Sequence, residues 1–228
     1  MGALSSLPRA WWSTDLPGFR EHPKPFATYS AFTYPDLPPI RRLLDPDLGW
    51  LREQAVVPRS LGDTDPNDPV PERRANAAEL RALVAETQIA LPPSFEVFVA
   101  DPEPRRRVRS ATACYLDLGQ FVVDVADGGS MLHFLSDQQW ILHWLLYVGD
   151  DGSEAVVVSE TALGLEADEQ RFARFDPARD AATVCAESFS EFLYRFWIDN
   201  EIFFRTARSP HDEPPLTDEQ RRYAEHFR

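Results

Sequence analysis

Apolar and polar positions occur in blocks along this chain, and the most apolar block lies at residues 131–160. Within it, residues 131–135 and 141–148 are apolar runs, and residues 155–158 form a β-branched run. The last two are separated by Gly-Asp-Asp-Gly at 149–152, and Asp-Gly between apolar runs is a strong hairpin signal. Residues 141–148 contain no Asp, Glu, Lys or Arg, which predicts a central strand buried on both faces.

Helical spacing of apolar residues occurs on both sides of this block. It predicts one helix around Leu80 and Leu83, and a second helix that Ser94 caps. A longer helix is predicted to begin at Ser188, the first residue of a capping box. Its apolar stripe consists of Phe189, Phe192, Leu193, Phe196 and Trp197. Such a broad stripe is expected to pack on the sheet.

Further strands are predicted near residues 108–116, 121–125 and 183–185, and a loop is predicted at 163–180. The pattern predicts an α+β fold, in which helices pack on a mixed, largely antiparallel sheet. Cys114 and Cys185 lie in apolar contexts without metal-ligand spacing, so we expect two buried free thiols.

The N-terminal third differs in composition, because residues 1–71 contain 12 of the 20 prolines. Prolines this dense exclude long helices and central strands, yet the segment has too many aromatic residues for a disordered tail. We predict a proline-rich N-terminal arm that wraps the domain, with a short helix near 48–55. The chain is therefore divided into this arm (1–71), a domain (72–204) and a C-terminal tail with a short helix (205–228).

The net charge of −14 is concentrated in one part of the chain. Residues 111–204 carry 17 acidic and 4 basic residues, and no Lys or Arg occurs between Arg109 and Arg171. One interpretation is an acidic surface that keeps the protein dispersed; the other is a negative face for a basic partner. Nucleic acid is disfavoured as a partner because phosphate binding requires a basic footprint. The basic run at 105–109 is predicted to be a solvated turn or the entry to a strand, or alternatively to pair with the acidic face of the same chain.

Membrane insertion and secretion are not predicted. No window reaches the roughly 18 uncharged apolar residues of a membrane span, and the N-terminus lacks the pattern of a secretory signal. We expect a cytoplasmic protein.

Candidate catalytic residues are few. His133 and His143 with Asp137 offer a base and an orienting acid, but a half-buried histidine in a sheet is more often structural. Ser130 lacks the glycine pattern of a nucleophile elbow, and residues 150–154 are too short for a calcium loop. The chain also has no H-E-x-x-H, P-loop or G-x-G-x-x-G motif. We therefore predict no enzyme activity, no metal and no cofactor.

Three segments resemble one known family. Leu-Pro-Pro-Ser-Phe-Glu-Val-Phe at 91–98 resembles the L-P-x-S-Y-x-x-F motif that opens the SMI1/KNR4 family, also called the SUKH superfamily. Residues 133–139, followed by Trp144-x-x-Tyr147 and by Asp151-Gly152, resemble the sheet of its bacterial members. The helix from Ser188, with Trp197, resembles its closing helix. The likeness covers about residues 72–204, and the stretch at 101–109 departs from the family pattern.

The resemblance implies an interaction domain without chemistry of its own. Bacterial members are largely immunity proteins that bind and neutralise a cognate polymorphic toxin, and eukaryotic members act in interaction and regulation. We expect a non-enzymatic protein-binding domain whose partner is a basic toxin domain. The alternatives are a regulatory or scaffold protein of the same fold, and a small hydrolase that uses His133 and Asp137. The predicted partner-binding residues are Asp127, Asp137, Gln138, Asp150, Asp151, Glu154 and Glu160.

Overall fold

A mixed β-sheet forms the centre of the protein in the computed structural model, which describes residues 4–21, 28–62, 77–118, 122–126, 128–161, 163, 172–177, 180–207 and 213–228. The strands are β1 (Ala10–Ser13), β2 (Ser30–Thr33), β3 (Tyr115–Leu116), β4 (Val122–Val125), β5 (Ser130–Ser136), β6 (His143–Val148), β7 (Glu154–Ser159), β8 (Phe172–Phe175) and β9 (Thr183–Ala186). β1 and β2 pair separately. The other seven form one sheet in the order β8-β4-β5-β6-β7-β9, with β3 also paired to β5.

Every strand pair in that sheet is antiparallel except β4 and β8. The helices are α1 (Gly49–Arg52), α2 (Ala77–Thr87), α3 (Pro93–Ala100), α4 (Pro102–Arg105), α5 (Phe189–Ala207) and α6 (Asp218–Glu225). The predicted α+β class, with a mixed and largely antiparallel sheet under helices, is confirmed. No helix in the described ranges is long and apolar enough to cross a membrane.

The central strand is β6, and all six of its residues are buried. It pairs with β5 on one side and β7 on the other, which explains the unbroken apolar run. The predicted strand began two residues too early, because Ile141 is exposed and lies in the loop before His143. The hairpin between β6 and β7 is present, and Gly152 has a φ of 78° in its turn.

Helix α5 covers one face of the sheet, as its apolar stripe predicted. Phe192 and Phe196 are 2% and 6% exposed, and Phe189 packs edge-on against Phe95 and Phe134. The Ser188 hydroxyl accepts the Glu191 backbone N–H at 3.1 Å, which caps the helix. Burying each large apolar side chain contributes about 1.5–3 kcal/mol, so α5 is a principal source of stability.

The opposite face of the sheet has its own smaller core. Met131, Leu145, Tyr147 and Val157 face it, and Leu4 and Leu7 from the N-terminal segment pack over them. Because side chains alternate along a strand, the neighbours of these residues face α5 instead. The sheet is therefore covered on both sides.

The N-terminal segment packs into the main core. Trp11 and Trp50 are buried there, 1% and 3% exposed. Asp199 of α5 accepts hydrogen bonds from the Trp11 indole at 2.8 Å, the Ser13 hydroxyl at 2.6 Å and the Arg20 guanidinium at 2.8 Å. A buried polar cluster thus joins this segment to α5.

Several predicted boundaries change. The strand predicted at 108–116 is reduced to Tyr115–Leu116, because Ala113 takes a positive φ of 53° and breaks the extended backbone. The loop predicted at 163–180 contains β8. Helix α3 is preceded by Pro92 as its N-cap, and Ser94 makes no cap hydrogen bond there.

The two predicted domain boundaries relate to the structure in different ways. The boundary at residue 71 lies outside the described residues. The one at 204 falls inside α5, which continues to Ala207. The C-terminal helix is confirmed as α6, and Thr217 and Gln220 form its capping box. Cys114 and Cys185 are buried free thiols, as predicted.

Candidate functional site

The loop at residues 137–142, between β5 and β6, carries a group of exposed residues at one end of the sheet. Gln138 and Gln139 are exposed, and they are followed by Trp140 and Ile141, which are 44% and 42% exposed. Large apolar side chains this exposed are uncommon on the described surface of the protein, where Leu43 and Val56 are the other two. The loop therefore presents an adjacent pair of apolar side chains to solvent.

The backbone of this loop is fixed by Asp137. Its carboxylate accepts the backbone N–H of Gln139 at 3.0 Å and of Ile141 at 2.8 Å, and the Tyr29 hydroxyl donates to it at 3.3 Å. An aspartate that bonds amides two and four residues ahead stabilises a tight turn. Asp137 is only 1% exposed, so its predicted role as a partner-binding carboxylate is wrong.

Trp140 is held in one orientation despite its exposure. Its backbone has a φ of 58°, which is unusual for a bulky residue. Its indole N–H donates to the Tyr115 hydroxyl, and its ring lies edge-on to His143 with centroids 5.5 Å apart. A residue kept in a sparsely populated conformation by its surroundings is characteristic of functional sites. The loop thus presents a preorganised aromatic side chain.

Behind Trp140 lies a buried polar cluster. The Ser136 hydroxyl donates to Asp117 Oδ2 at 2.8 Å and lies 3.0 Å from both His133 Nε2 and His143 Nδ1. Residues three apart on a regular strand face opposite sides. The pairing register shifts between His133 and Leu135, and this bulge brings His133 and Ser136 together.

The environment of the cluster favours the neutral form of both histidines. Burial lowers the pKa of His133 to about 4, although the negative charge of Asp117 acts to raise it. Burial also lowers the pKa of His143, again opposed by Asp117. Ser136 has no exposed surface, so its hydroxyl cannot reach a substrate in this conformation.

The hydrolase alternative required His133 beside Asp137, and this arrangement is not formed. Among the described residues, His133 contacts Ser136 and Asp117, whereas Asp137 bonds loop amides and Tyr29. The described residues also contain no group of three His, Cys, Asp or Glu side chains placed to hold a metal ion.

The predicted partner-binding residues are divided between the two ends of the sheet. Asp150 and Asp151 are exposed in the turn after β6, while Gln138 and Glu160 are exposed at the opposite end. Strand β6 has six residues and separates the two ends by about 17 Å. The screening length is about 8 Å at physiological salt. The expectation of one continuous acidic face is therefore wrong for the described residues.

One further predicted residue, Glu154, does not contribute a free carboxylate to either end. Glu154 accepts the backbone N–H of Phe189 at 3.3 Å, at the start of α5, and burial raises its pKa. Asp127 lies outside the described residues. At the far turn, Ser153 donates to Asp151 from its hydroxyl and its backbone N–H, which lowers the pKa of that carboxyl.

The basic run at 105–109 does not neutralise the exposed turn. Arg105 donates to the backbone carbonyl of Phe98, and Arg107 donates to the Gln54 carbonyl and to Glu103. Arg109 is buried and pairs with Glu201 and Glu213. Arg105, Arg107 and Arg109 therefore link elements of the fold rather than pairing with the acidic residues at the ends of the sheet. Arg106 is exposed in a turn, as predicted for part of this run.

The clefts in the described surface include one of about 590 Å³ and one of about 370 Å³. The larger of these lies between residues 38–42 and α6, and its Arg42 pairs with Glu219 at 2.8 Å. It contains none of the predicted site residues. The smaller lies beside the loop at 137–142 and includes Leu142 and Glu160. The exposed loop, Glu160 and this cleft therefore occupy one end of the sheet.

The chain matches no model of a known protein family, and it has no significant match among curated proteins or solved structures. The resemblance to the SUKH superfamily stays a prediction that rests on the short motifs quoted above.

Sequence reasoning missed the residues that define this end of the sheet. The sequence pattern assigned Ile141 to the buried strand and placed Trp140 directly before it. The pattern did not single out Asp117. The signal that could have separated them is the polar stretch Ser-Asp-Gln-Gln at 136–139, since an aspartate followed by polar residues favours a turn.

Proposed function

We propose that this chain is a non-enzymatic, cytoplasmic protein-binding domain that neutralises a basic toxin domain, as its resemblance to the SUKH superfamily implies. Its recognition surface is the end of the sheet formed by residues 138–141 and Glu160. The observation that carries the proposal is the exposed Trp140–Ile141 pair on a loop whose backbone is fixed by buried Asp137.

The physical argument starts from interface energetics. A few buried aromatic side chains supply most of the binding energy at protein interfaces, and tryptophan is among the most enriched. Binding costs less when such a side chain is already ordered in the free protein. Trp140 is 44% exposed, so a partner can bury its ring. Tyr115 and His143 already hold that ring in the free protein, which lowers the cost of binding.

Charge supports a basic partner. The chain carries a net charge of −14, and the carboxylate of Glu160 is exposed on this surface. Complementary charge accelerates association and excludes acidic partners, while the aromatic centre governs dissociation. A toxin domain that binds nucleic acid has the basic surface that this arrangement requires.

The test uses the product of the gene adjacent to this chain's own gene, titrated calorimetrically at about 50 and 300 mM salt. We expect a 1:1 complex that weakens as salt rises. Trp140→Ala should weaken it about thirtyfold, the effect of losing roughly 2 kcal/mol. Leu43→Ala is the matched control, because Leu43 is also exposed and apolar but lies in another segment. Equal effects of the two substitutions, or no complex at either salt concentration, would contradict the proposal.

A further inference from the structure

The smaller cleft has apolar walls made by several elements. Leu7 comes from the N-terminal segment, Leu142 from the end of the loop, Val158 from β7 and Ala182 from the start of β9. All four are buried, at most 9% exposed. A volume of about 370 Å³ is near the lower limit for ligand pockets. The cleft therefore has room for one long side chain of a partner.

Two carboxylates, Glu160 and Asp180, also line this cleft. Glu160 is exposed, and no hydrogen bond or ion pair with a described residue engages its carboxylate. The Asp180 carboxylate accepts the backbone N–H of Asp176 at 2.7 Å and is partly exposed. No Lys, Arg or His is present among the described residues of the lining. Among its described lining residues, the cleft thus combines apolar walls with two carboxylates and no basic side chain.

The apolar walls and the carboxylates together favour some occupants of the cleft over others. An anion would be repelled, and a purely aliphatic side chain would remove water from Glu160 without giving it a partner. Arginine packs its methylene stem on apolar surface and keeps its charged end near the opening. Its guanidinium is also weakly hydrated and matches carboxylate geometry.

We propose that this cleft receives an arginine side chain of the protein partner. This inference rests on the proposed function, because it names the chemistry by which that partner is recognised. Leu142 lines the cleft and directly follows Trp140 and Ile141 in the chain, so the arginine and the aromatic contact would belong to one interface.

The direct test is a nuclear magnetic resonance titration of the full chain with Nα-acetyl-arginine-N-methylamide. We expect saturable shifts at the amides of Val158, Ser159, Glu160 and Ala182. The uncharged norleucine analogue has a similar stem without the guanidinium, and we expect it to bind at least fivefold more weakly. Absence of saturable shifts at these amides, or equal binding of the norleucine analogue, overturns the inference.

A charge-removing variant tests the role of the carboxylates. Glu160→Gln combined with Asp180→Asn keeps an oxygen acceptor at both positions, so the turn bonded to Asp176 is retained. We expect binding of the arginine probe to weaken at least fivefold, whereas Asp150→Asn, at the other end of the sheet, leaves it unchanged. An unchanged affinity in the double variant also overturns the inference.

The two proposals fail in different ways. If the basic partner binds but the arginine probe does not, the assignment of the cleft is wrong and the protein-binding function stands. If the probe binds and no basic partner does, the cleft remains an arginine site and the toxin-neutralising function is wrong.

Discussion

Replacement of Asp199 by alanine should destabilise the protein strongly, because this carboxylate holds the N-terminal segment on α5. Asp199 is 3% exposed and accepts hydrogen bonds from Trp11, Ser13 and Arg20. Arg20 is itself buried and lies between the rings of Phe32, 4.2 Å away, and Phe227, 4.7 Å away. Without Asp199, its charge would remain buried without a carboxylate partner.

The expected loss follows from that uncompensated charge. Removing one partner of a buried ion pair costs about 3–5 kcal/mol, which lowers the melting temperature of a chain of this size by roughly 10 °C. Glu187→Ala is the matched control, because Glu187 also pairs with the N-terminal segment, at Arg9, but both side chains are substantially exposed. An exposed pair contributes at most about 1 kcal/mol.

Urea unfolding followed by tryptophan fluorescence measures both variants on one scale. We expect a lower midpoint for Asp199→Ala with an unchanged slope, and a midpoint for Glu187→Ala close to that of the original chain. If Asp199→Ala loses less than about 1 kcal/mol, the N-terminal segment is not fixed by this cluster and the reasoning fails.

Three other expectations follow from the same structure. Phe196→Ala should cost about 3–5 kcal/mol in the urea assay, because the ring packs on Trp144, and a cost below 1 kcal/mol would refute the helix-on-sheet packing. Stability should fall by about 3 kcal/mol as the pH decreases from about 6.5 to 4, because His133 has a pKa near 4 when folded and the unfolded chain binds its proton first. The groups that face His133 are Asp117, Ser136 and His143, and His133→Gln should flatten the slope in this window; an identical slope refutes it. Asp137→Ala should raise amide exchange at residues 139 and 141 at least tenfold, and no increase would show that Asp137 does not fix the loop.

The sheet and its main helix could be predicted because their signals are local. An uncharged run of eight residues predicts a buried strand, and the stripe of Phe189, Phe192 and Phe196 predicts a helix on a sheet. The turn at 149–152 was equally predictable from its glycines and aspartates. In each case the residues that decide the element are consecutive or one helical turn apart.

The candidate site depends on contacts that sequence spacing does not reveal. Asp137 is buried because Tyr29, 108 residues away, and two loop amides satisfy it. His133 and Ser136 meet because a bulge changes the register of β5, and composition carries no signal for a bulge. The acidic residues looked like one face along the sequence, but β6 places them at opposite ends of the sheet.

Amide hydrogen exchange of the chain, alone and bound to the basic partner, tests the central claim most directly. The partner should protect residues 138–142 and 159–161, which form the end of the sheet that carries Trp140 and Glu160. The turn at 149–153 should exchange at the same rate with and without partner. Protection of that turn, with unchanged exchange at 138–142, would contradict the account.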